Sequence, residues 1–222
     1  MDLHLPSPDL PPASSERRRD FDPRPHSDEE LDAALRRPHR LLEIVLGEPE
    51  RLVADAEQGR RLPTIFLLLA AASTLFAVPY GLVLGVSSFW KVATLYLGST
   101  LICLPSLHVF ALYLGVAVKL RHNLVLALAI PAVAGLFSLG FAPILGFFKL
   151  TMGDAGSSVR WQTLSVLLLG AALLAGIGQL WRSIHRARGL SPMRDLPFLV
   201  VGWHVVFLYV LGRMASVLGL DG

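Results

Sequence analysis

Five long apolar runs constrain the fold of this chain more than any other feature. They cover residues 62–85, 92–118, 124–148, 161–181 and 196–218. Each holds about 20 residues or more, enough for a helix rising ~1.5 Å per residue to cross a hydrocarbon core of ~30 Å. We therefore predict an all-α fold, a polytopic transmembrane bundle of five spans that fills residues 62–222. Its first partner is the lipid bilayer.

Charge is divided sharply between the two parts of the chain. Residues 1–61 carry ten basic and fourteen acidic side chains, a net of −4, whereas residues 62–222 carry ten and three, a net of +7. The positive excess thus belongs to loops between apolar runs and not to a basic surface. This distribution argues against nucleic acid as a partner.

The segment before the first run divides into two regions. Residues 1–26 contain six prolines and few aliphatic side chains, so they predict a disordered tail. Residues 27–61 predict short amphipathic helices, the first of which begins with the capping-box spacing of Ser27 and Glu30. These helices either lie on the membrane surface or form a small hairpin packed on itself. We expect an unknown protein partner to bind this N-terminal segment.

Basic residues near the apolar runs set the predicted orientation. Arg51, Arg60 and Arg61 precede the first apolar run. Further basic side chains follow the second and the fourth apolar runs. Because cytoplasmic loops are enriched in Lys and Arg, we predict a cytoplasmic N-terminus and an outside C-terminus. The expected location is the cell inner membrane, as a multi-pass protein.

Polar side chains inside the apolar runs are the candidate site. Cys103, Ser106 and His108 lie close together in the second run, and His204 lies in the fifth. If these two runs are neighbours, His108 and His204 reach similar depths. They then form either a shared polar, proton or metal site, or two histidines bonded to helix carbonyls.

Proline recurs inside the first three runs. Each proline removes a helical hydrogen bond and bends its helix, so these spans should pack together to satisfy the freed carbonyls. Small residues four apart, such as Ala172 and Gly176, would permit close helix contact. The helix-bending residues predicted here are Pro79, Pro105, Pro131 and Pro143.

The familiar catalytic patterns do not occur in the chain. There is no His-Glu-x-x-His, no phosphate-binding Gly-rich loop and no serine elbow, and no Asp or Glu lies within an apolar run. The single cysteine, Cys103, excludes an internal disulfide and a cysteine metal cluster. We therefore predict a protein that is not an enzyme, with no cofactor and with no catalytic, cofactor-binding or metal residue.

Several short motifs of the chain form a familiar pattern. They are segments 46–52 (LGEPERL), 80–85 (YGLVLG), 89–90 (FW), 101–107 (LICLPSL) and 141–148 (FAPILGFF). This pattern resembles that of a bacterial group of Yip-domain membrane proteins, some of which carry the label actin-binding WASP-homology domain. The resemblance implies five spans and a cytosolic N-terminus, and it departs after Met214. Eukaryotic Yip proteins bind Rab-type GTPases, a role that does not carry over to bacteria.

These features predict a non-enzymatic scaffold or docking protein of the bacterial inner membrane. The alternative is a channel or carrier for a small solute that uses the proline-bent spans. A homo-oligomer is compatible with either function.

Overall fold

A computed structural model describes residues 26–47, 51–52, 55, 61–113, 120–152, 158–187 and 196–220. All regular structure in these segments is helical. The predicted tail, apart from His26, and most of the region around Pro49 lie outside them. The helices are α1 (Asp28–Arg36), α2 (Pro38–Gly47), α3 (Leu62–Leu84), α4 (Lys91–Tyr113), α5 (Leu120–Met152), α6 (Ser158–Ala187) and α7 (Leu196–Val217), with a 3-10 turn at Val86–Ser88.

Four stretches are long and apolar enough to cross a membrane. They confirm the predicted all-α, membrane-type architecture. A shorter apolar stretch of α7 runs from Val201 to Val217, so the count of five spans stays a prediction. The four stretches are Leu62–Leu84, Val86–Phe110, Asn123–Thr151 and Thr163–Arg182.

Helix α5 is the centre of the bundle. It packs against α3, α4 and α6, while α7 packs against α4. Gly135 of α5 lies beside Ser73 of α3, and Gly146 lies beside Val83, so α3 and α5 run in the same direction. Helix α4 runs antiparallel to α5. Near the start of α4, Tyr96 pairs with Ser138, and near the end of α4, His108 pairs with the earlier residue Asn123.

The remaining helices continue this alternation of direction. Gly176 of α6 contacts Ile130 of α5, and Trp161 near the start of α6 lies beside Lys149 near the end of α5. Helices α5 and α6 are therefore antiparallel. The same holds for α4 and α7, because Trp203 meets Cys103 and Met214 meets Ser99.

Two glycines allow these helices to approach closely. A Cβ atom built at Gly135 would lie 2.9 Å from the carbonyl oxygen of Ser73, and one at Gly176 would lie 2.6 Å from that of Ile130. Both distances are shorter than a methyl group tolerates next to a fixed backbone. The α3–α5 and α5–α6 contacts thus depend on the missing side chains.

The N-terminal helices form a cap on one end of the bundle. The cap comprises α1, α2 and residues 26–27, 51–52 and 55. Helices α1 and α2 pack on each other and on α3, and α2 also contacts α5. Of the two arrangements left open by the sequence, the helices do pack together, and they also pack on the bundle. Their buried side chains are Leu31, Ala34, Leu41, Ile44 and Val45, which share one apolar cluster with Ile65, Leu68 and Leu69 of α3.

Candidate functional site

The carbonyl oxygen of Cys103 is the focus of the predicted polar cluster. It accepts a hydrogen bond from the hydroxyl of Ser106, at 2.7 Å, and another from the indole Nε1 of Trp203, at 3.0 Å. The first bond is local to α4, whereas the second joins α4 to α7. Both donors meet the same backbone acceptor, two residues before Pro105. The helical donor that Pro105 lacks would have bonded the carbonyl of Leu101, four residues earlier.

Trp203 organises the α7 side of this contact. Its ring is buried and stacks on Phe207, with centroids 5.1 Å apart. His204 is also buried and lies edge-on to the same indole, at 5.4 Å between centroids. The second and fifth apolar runs are therefore neighbours, as the candidate site requires. His204 directly follows Trp203 and so lies at about the same depth as Cys103.

His108 makes a different contact. Its Nδ1 accepts a hydrogen bond from the side-chain amide of Asn123 in α5, at 3.4 Å. Asn123 is buried, 2% exposed, at the start of an apolar stretch. His108 lies five residues beyond Cys103, or ~7.5 Å along the helix. The structure thus brings Cys103, Ser106 and His204 to the α4–α7 contact and directs His108 toward α5.

Metal binding was one of the alternatives for this cluster. Across the described part of the chain, no group of three or more His, Cys, Asp or Glu side chains could hold a metal ion. What the arrangement does show is hydrogen bonding between apolar helices by polar groups that they carry. A shared function for His108 and His204 stays a prediction.

The four prolines all lie inside helices, as predicted. Pro79 is in α3 and Pro105 is in α4, while Pro131 and Pro143 are both in α5. Pro131 is buried among neighbouring helices, whereas Pro105 and Pro143 are exposed. Two further buried hydrogen bonds, which no sequence pattern indicated, join these helices to their neighbours. Tyr80 donates to the Ser165 carbonyl at 2.7 Å, and the Tyr96 hydroxyl pairs with that of Ser138 at 2.9 Å.

The cap contains a buried pair that the sequence analysis missed. The carboxylate of Asp55 accepts a hydrogen bond from the backbone N–H of His26, at 2.9 Å. Its second oxygen lies 2.6 Å from Nδ1 of the same histidine. His26 and Asp55 are 4% and 1% exposed. His26 is the last residue of the predicted tail, and in the structure it is fixed by a partner 29 residues away.

Ser27 and Glu30 form the predicted capping box at the start of α1. The Glu30 backbone N–H donates to the Ser27 hydroxyl, and the Ser27 backbone N–H donates to the Glu30 carboxylate, at 2.8 Å. This second bond lowers the pKa of Glu30, an effect that burial opposes and that Arg51 reinforces.

Arg61 ties the cap to the bundle. It precedes α3 in the left-handed conformation, with φ of 45°. From there its guanidinium reaches two carboxylates of α1, Asp28 at 3.3 Å and Asp32 at 2.8 Å. The charged contact and the apolar cluster beneath it hold the cap in a fixed position.

These features define the class of the protein. It is all-helical in its described parts, with four helices suited to a bilayer and a helical cap packed on one end of them. Comparison with models of protein families, with curated proteins and with solved structures finds no match to this chain. The chain is therefore a helical protein of membrane type, and no family is identified for it.

Proposed function

We propose that the chain is a five-span, Yip-type protein of the bacterial inner membrane that docks other proteins on its cap and performs no catalysis. The observation that carries this proposal is the cap itself. Apolar side chains hold it on the bundle end, while its outer surface presents exposed charged side chains such as Glu29. A rigid charged surface at a membrane edge suits recognition of a soluble partner.

The alternating direction of the helices supports five spans. Helices α3, α5 and α7 run one way, and α4 and α6 run the other. Helix α7 has 22 residues, which corresponds to ~33 Å and is sufficient for a crossing. The fifth crossing would place the C-terminus on the side opposite the cap.

The position of basic residues supports a cytoplasmic cap. Arg51 and Arg61 belong to the cap end of the bundle, and Arg182 lies at the end of α6 that approaches the cap. Lys91 and Lys149 are at the other end. Since basic residues accumulate on the cytoplasmic side, the cap end faces the cytoplasm.

Photocrosslinking in native membranes tests the docking role. A photoreactive residue at position 29 of the cap should form an adduct with a protein, whereas one at position 174 should react with lipid. Leu174 is a matched control because it is a 63% exposed apolar residue of α6. The captured protein is then purified and its affinity for the reconstituted full chain is measured.

The Glu29→Arg variant should bind that partner about tenfold more weakly, since a reversed charge opposes the complementary surface. Docking on the cap is contradicted if the photoreactive residue at position 29 forms no protein adduct, or if positions 29 and 174 form protein adducts in equal amounts.

The second candidate function is a channel or carrier for a small solute. Polar pairs on facing sides of α4 and α5 favour it, namely His108 with Asn123 and Tyr96 with Ser138. Proteoliposomes of the full chain should then show solute flux that falls in His108→Phe and Pro105→Ala variants. Impermeability to a broad panel of neutral and anionic solutes counts against this function.

A further inference from the structure

The turn between α1 and α2 carries a concentrated positive charge. Arg36 ends α1, Arg37 follows it, and His39 and Arg40 lie in the first turn of α2. All four residues are exposed. We call them the basic corner of the cap. Its position away from the acidic start of α1 gives the cap two chemically different ends.

Most acidic residues of α1 are already engaged elsewhere. Asp28 and Asp32 contact Arg61, and Glu30 contacts Arg51. These contacts lie in the first half of α1, and none of them involves the basic corner.

Within the described segments, neither Arg36 nor Arg37 has an ion pair. Arg40 contacts Glu43 at 2.8 Å, but the two side chains are 56% and 62% exposed. An exposed pair of this kind is weak and can be exchanged for a stronger anion. The corner therefore offers up to three guanidinium groups to an external ligand.

The depth of the C-terminal end of α2 indicates where the cap lies relative to a bilayer. The carbonyl oxygen of Leu46, at the end of α2, accepts a hydrogen bond from the side chain of Gln179, at 3.4 Å. Gln179 lies three residues, or ~4.5 Å along α6, before the end of the apolar stretch Thr163–Arg182. The C-terminal end of α2 thus lies where the apolar part of the bundle ends, which is the depth of lipid headgroups. The basic corner lies at the other end of this 10-residue helix, within ~15 Å along its axis.

Apolar side chains on the cap agree with this placement. Leu35, next to the basic corner, is 40% exposed, and Leu46 is 38% exposed. In water such side chains gain nothing from exposure, but beside a bilayer they reach the acyl boundary. An arginine cluster flanked by exposed leucine fits a membrane surface better than a soluble anion.

We propose that the basic corner binds the phosphate headgroups of anionic lipids in the leaflet beside the cap. Planar guanidinium groups form paired hydrogen bonds with phosphate oxygens. Binding at Arg36 and Arg37 fixes the cap against the membrane. This lipid binding requires no protein partner, so its test is independent of the docking role.

The test measures lipid enrichment on the purified full chain. The chain is reconstituted in mixed phosphatidylglycerol and phosphatidylcholine, and the lipids retained on it are counted by native mass spectrometry. Phosphatidylglycerol should be enriched, and the Arg36→Gln/Arg37→Gln variant should bind it about thirtyfold more weakly at low salt. Each basic residue near an anionic surface contributes about 1 kcal/mol, which gives this factor for two.

Two control variants separate lipid recognition from general charge effects. Arg213→Gln removes an exposed arginine near the C-terminal end of α7, on the side of the bundle away from the cap. This variant should leave the enrichment of phosphatidylglycerol unchanged. Arg36→Lys/Arg37→Lys keeps the charge and should retain most of the binding. Thermal unfolding in phosphatidylcholine alone should be equal for all variants, because these side chains are exposed.

Three results would overturn the proposal. The parent chain could retain both lipids equally, or the double glutamine variant could retain phosphatidylglycerol as the parent does. Competition by soluble glycerol phosphate at concentrations comparable to the lipid would show that the corner binds free phosphate and not a membrane.

Discussion

Trp203 donates its indole N–H to the backbone carbonyl of Cys103 across the α4–α7 contact, at 3.0 Å. This bond connects the last helix to α4, and stacking on Phe207, within α7 itself, holds the indole in place. A carbonyl that also accepts from Ser106 keeps a second partner when the indole is removed. The bond therefore adds stability without being the sole partner of a buried group.

Replacement of Trp203 tests this connection. Trp203→Phe removes the donor but keeps an aromatic ring, so we expect a loss of about 1 kcal/mol in the free energy of unfolding. Unfolding of the reconstituted chain by a denaturing detergent measures it. Trp90→Phe is the control because Trp90 is 47% exposed, and a similar loss there would show a general effect of tryptophan removal.

Ser73 and Ser138 should respond in opposite ways to removal of their hydroxyls. The Ser73 hydroxyl is buried and has no hydrogen-bond partner in the described structure, whereas the Ser138 hydroxyl pairs with Tyr96. Ser73→Ala should be neutral or stabilising by up to about 1 kcal/mol, and Ser138→Ala should destabilise by about 1 kcal/mol. Detergent unfolding compares the two, and destabilisation by Ser73→Ala would reveal a partner for its hydroxyl.

Gly176 and Gly178 form a matched pair on α6. A Cβ at position 176 would meet the Ile130 carbonyl at 2.6 Å, whereas one at 178 meets nothing within 4 Å. Gly176→Ala should therefore lower the free energy of unfolding by about 1–3 kcal/mol through overpacking. Gly178→Ala should be neutral or slightly stabilising, because alanine favours a helix. Equal effects of the two changes would contradict the close α5–α6 approach.

The capping box should make the cap sensitive to acid. The pKa of Glu30 in the folded cap lies below its ordinary value of 4.5, chiefly because the Ser27 N–H donates to the carboxylate. Its stabilisation is thus complete above about pH 4.5 and is lost as the pH falls through the lower, folded pKa. Half exposure of the side chain keeps the effect below about 1 kcal/mol.

Hydrogen exchange of the α1 backbone from pH 6 to 3 measures this loss. Glu30→Gln should show weaker protection at neutral pH and little further change on acidification. An unchanged pH response in that variant would assign the effect to another carboxylate.

Local sequence patterns predicted the elements of this fold well. Apolar length predicted five spans, and four of the corresponding helices are of bilayer type, because a membrane leaves a backbone few alternatives to the helix. The spacing of Ser27 and Glu30 predicted the start of α1, since a capping box depends on residues three apart. Internal prolines were correctly placed within helices because their apolar surroundings continue on both sides.

Contacts between distant residues could not be predicted in this way. His26 is hydrogen-bonded to Asp55, His108 contacts Asn123, and Gly176 packs against the backbone carbonyl of Ile130. Asn123 is a polar residue at the edge of an apolar run, and this position was the one sequence signal that it could bond a polar side chain of another helix. Similar depth in the apolar runs paired His108 with His204, and depth alone carries no information on a contact with Asn123.

The sequence by itself determined that this chain is helical, that it suits a bilayer and where its first cap helix begins. These properties depend on the polarity and spacing of residues within one or two helical turns. Only the tertiary structure decided that α5 is central, that α4 and α7 are neighbours and that the cap packs on the bundle. Such choices depend on which surfaces fit together, and many apolar helix surfaces are chemically alike until packing selects among them.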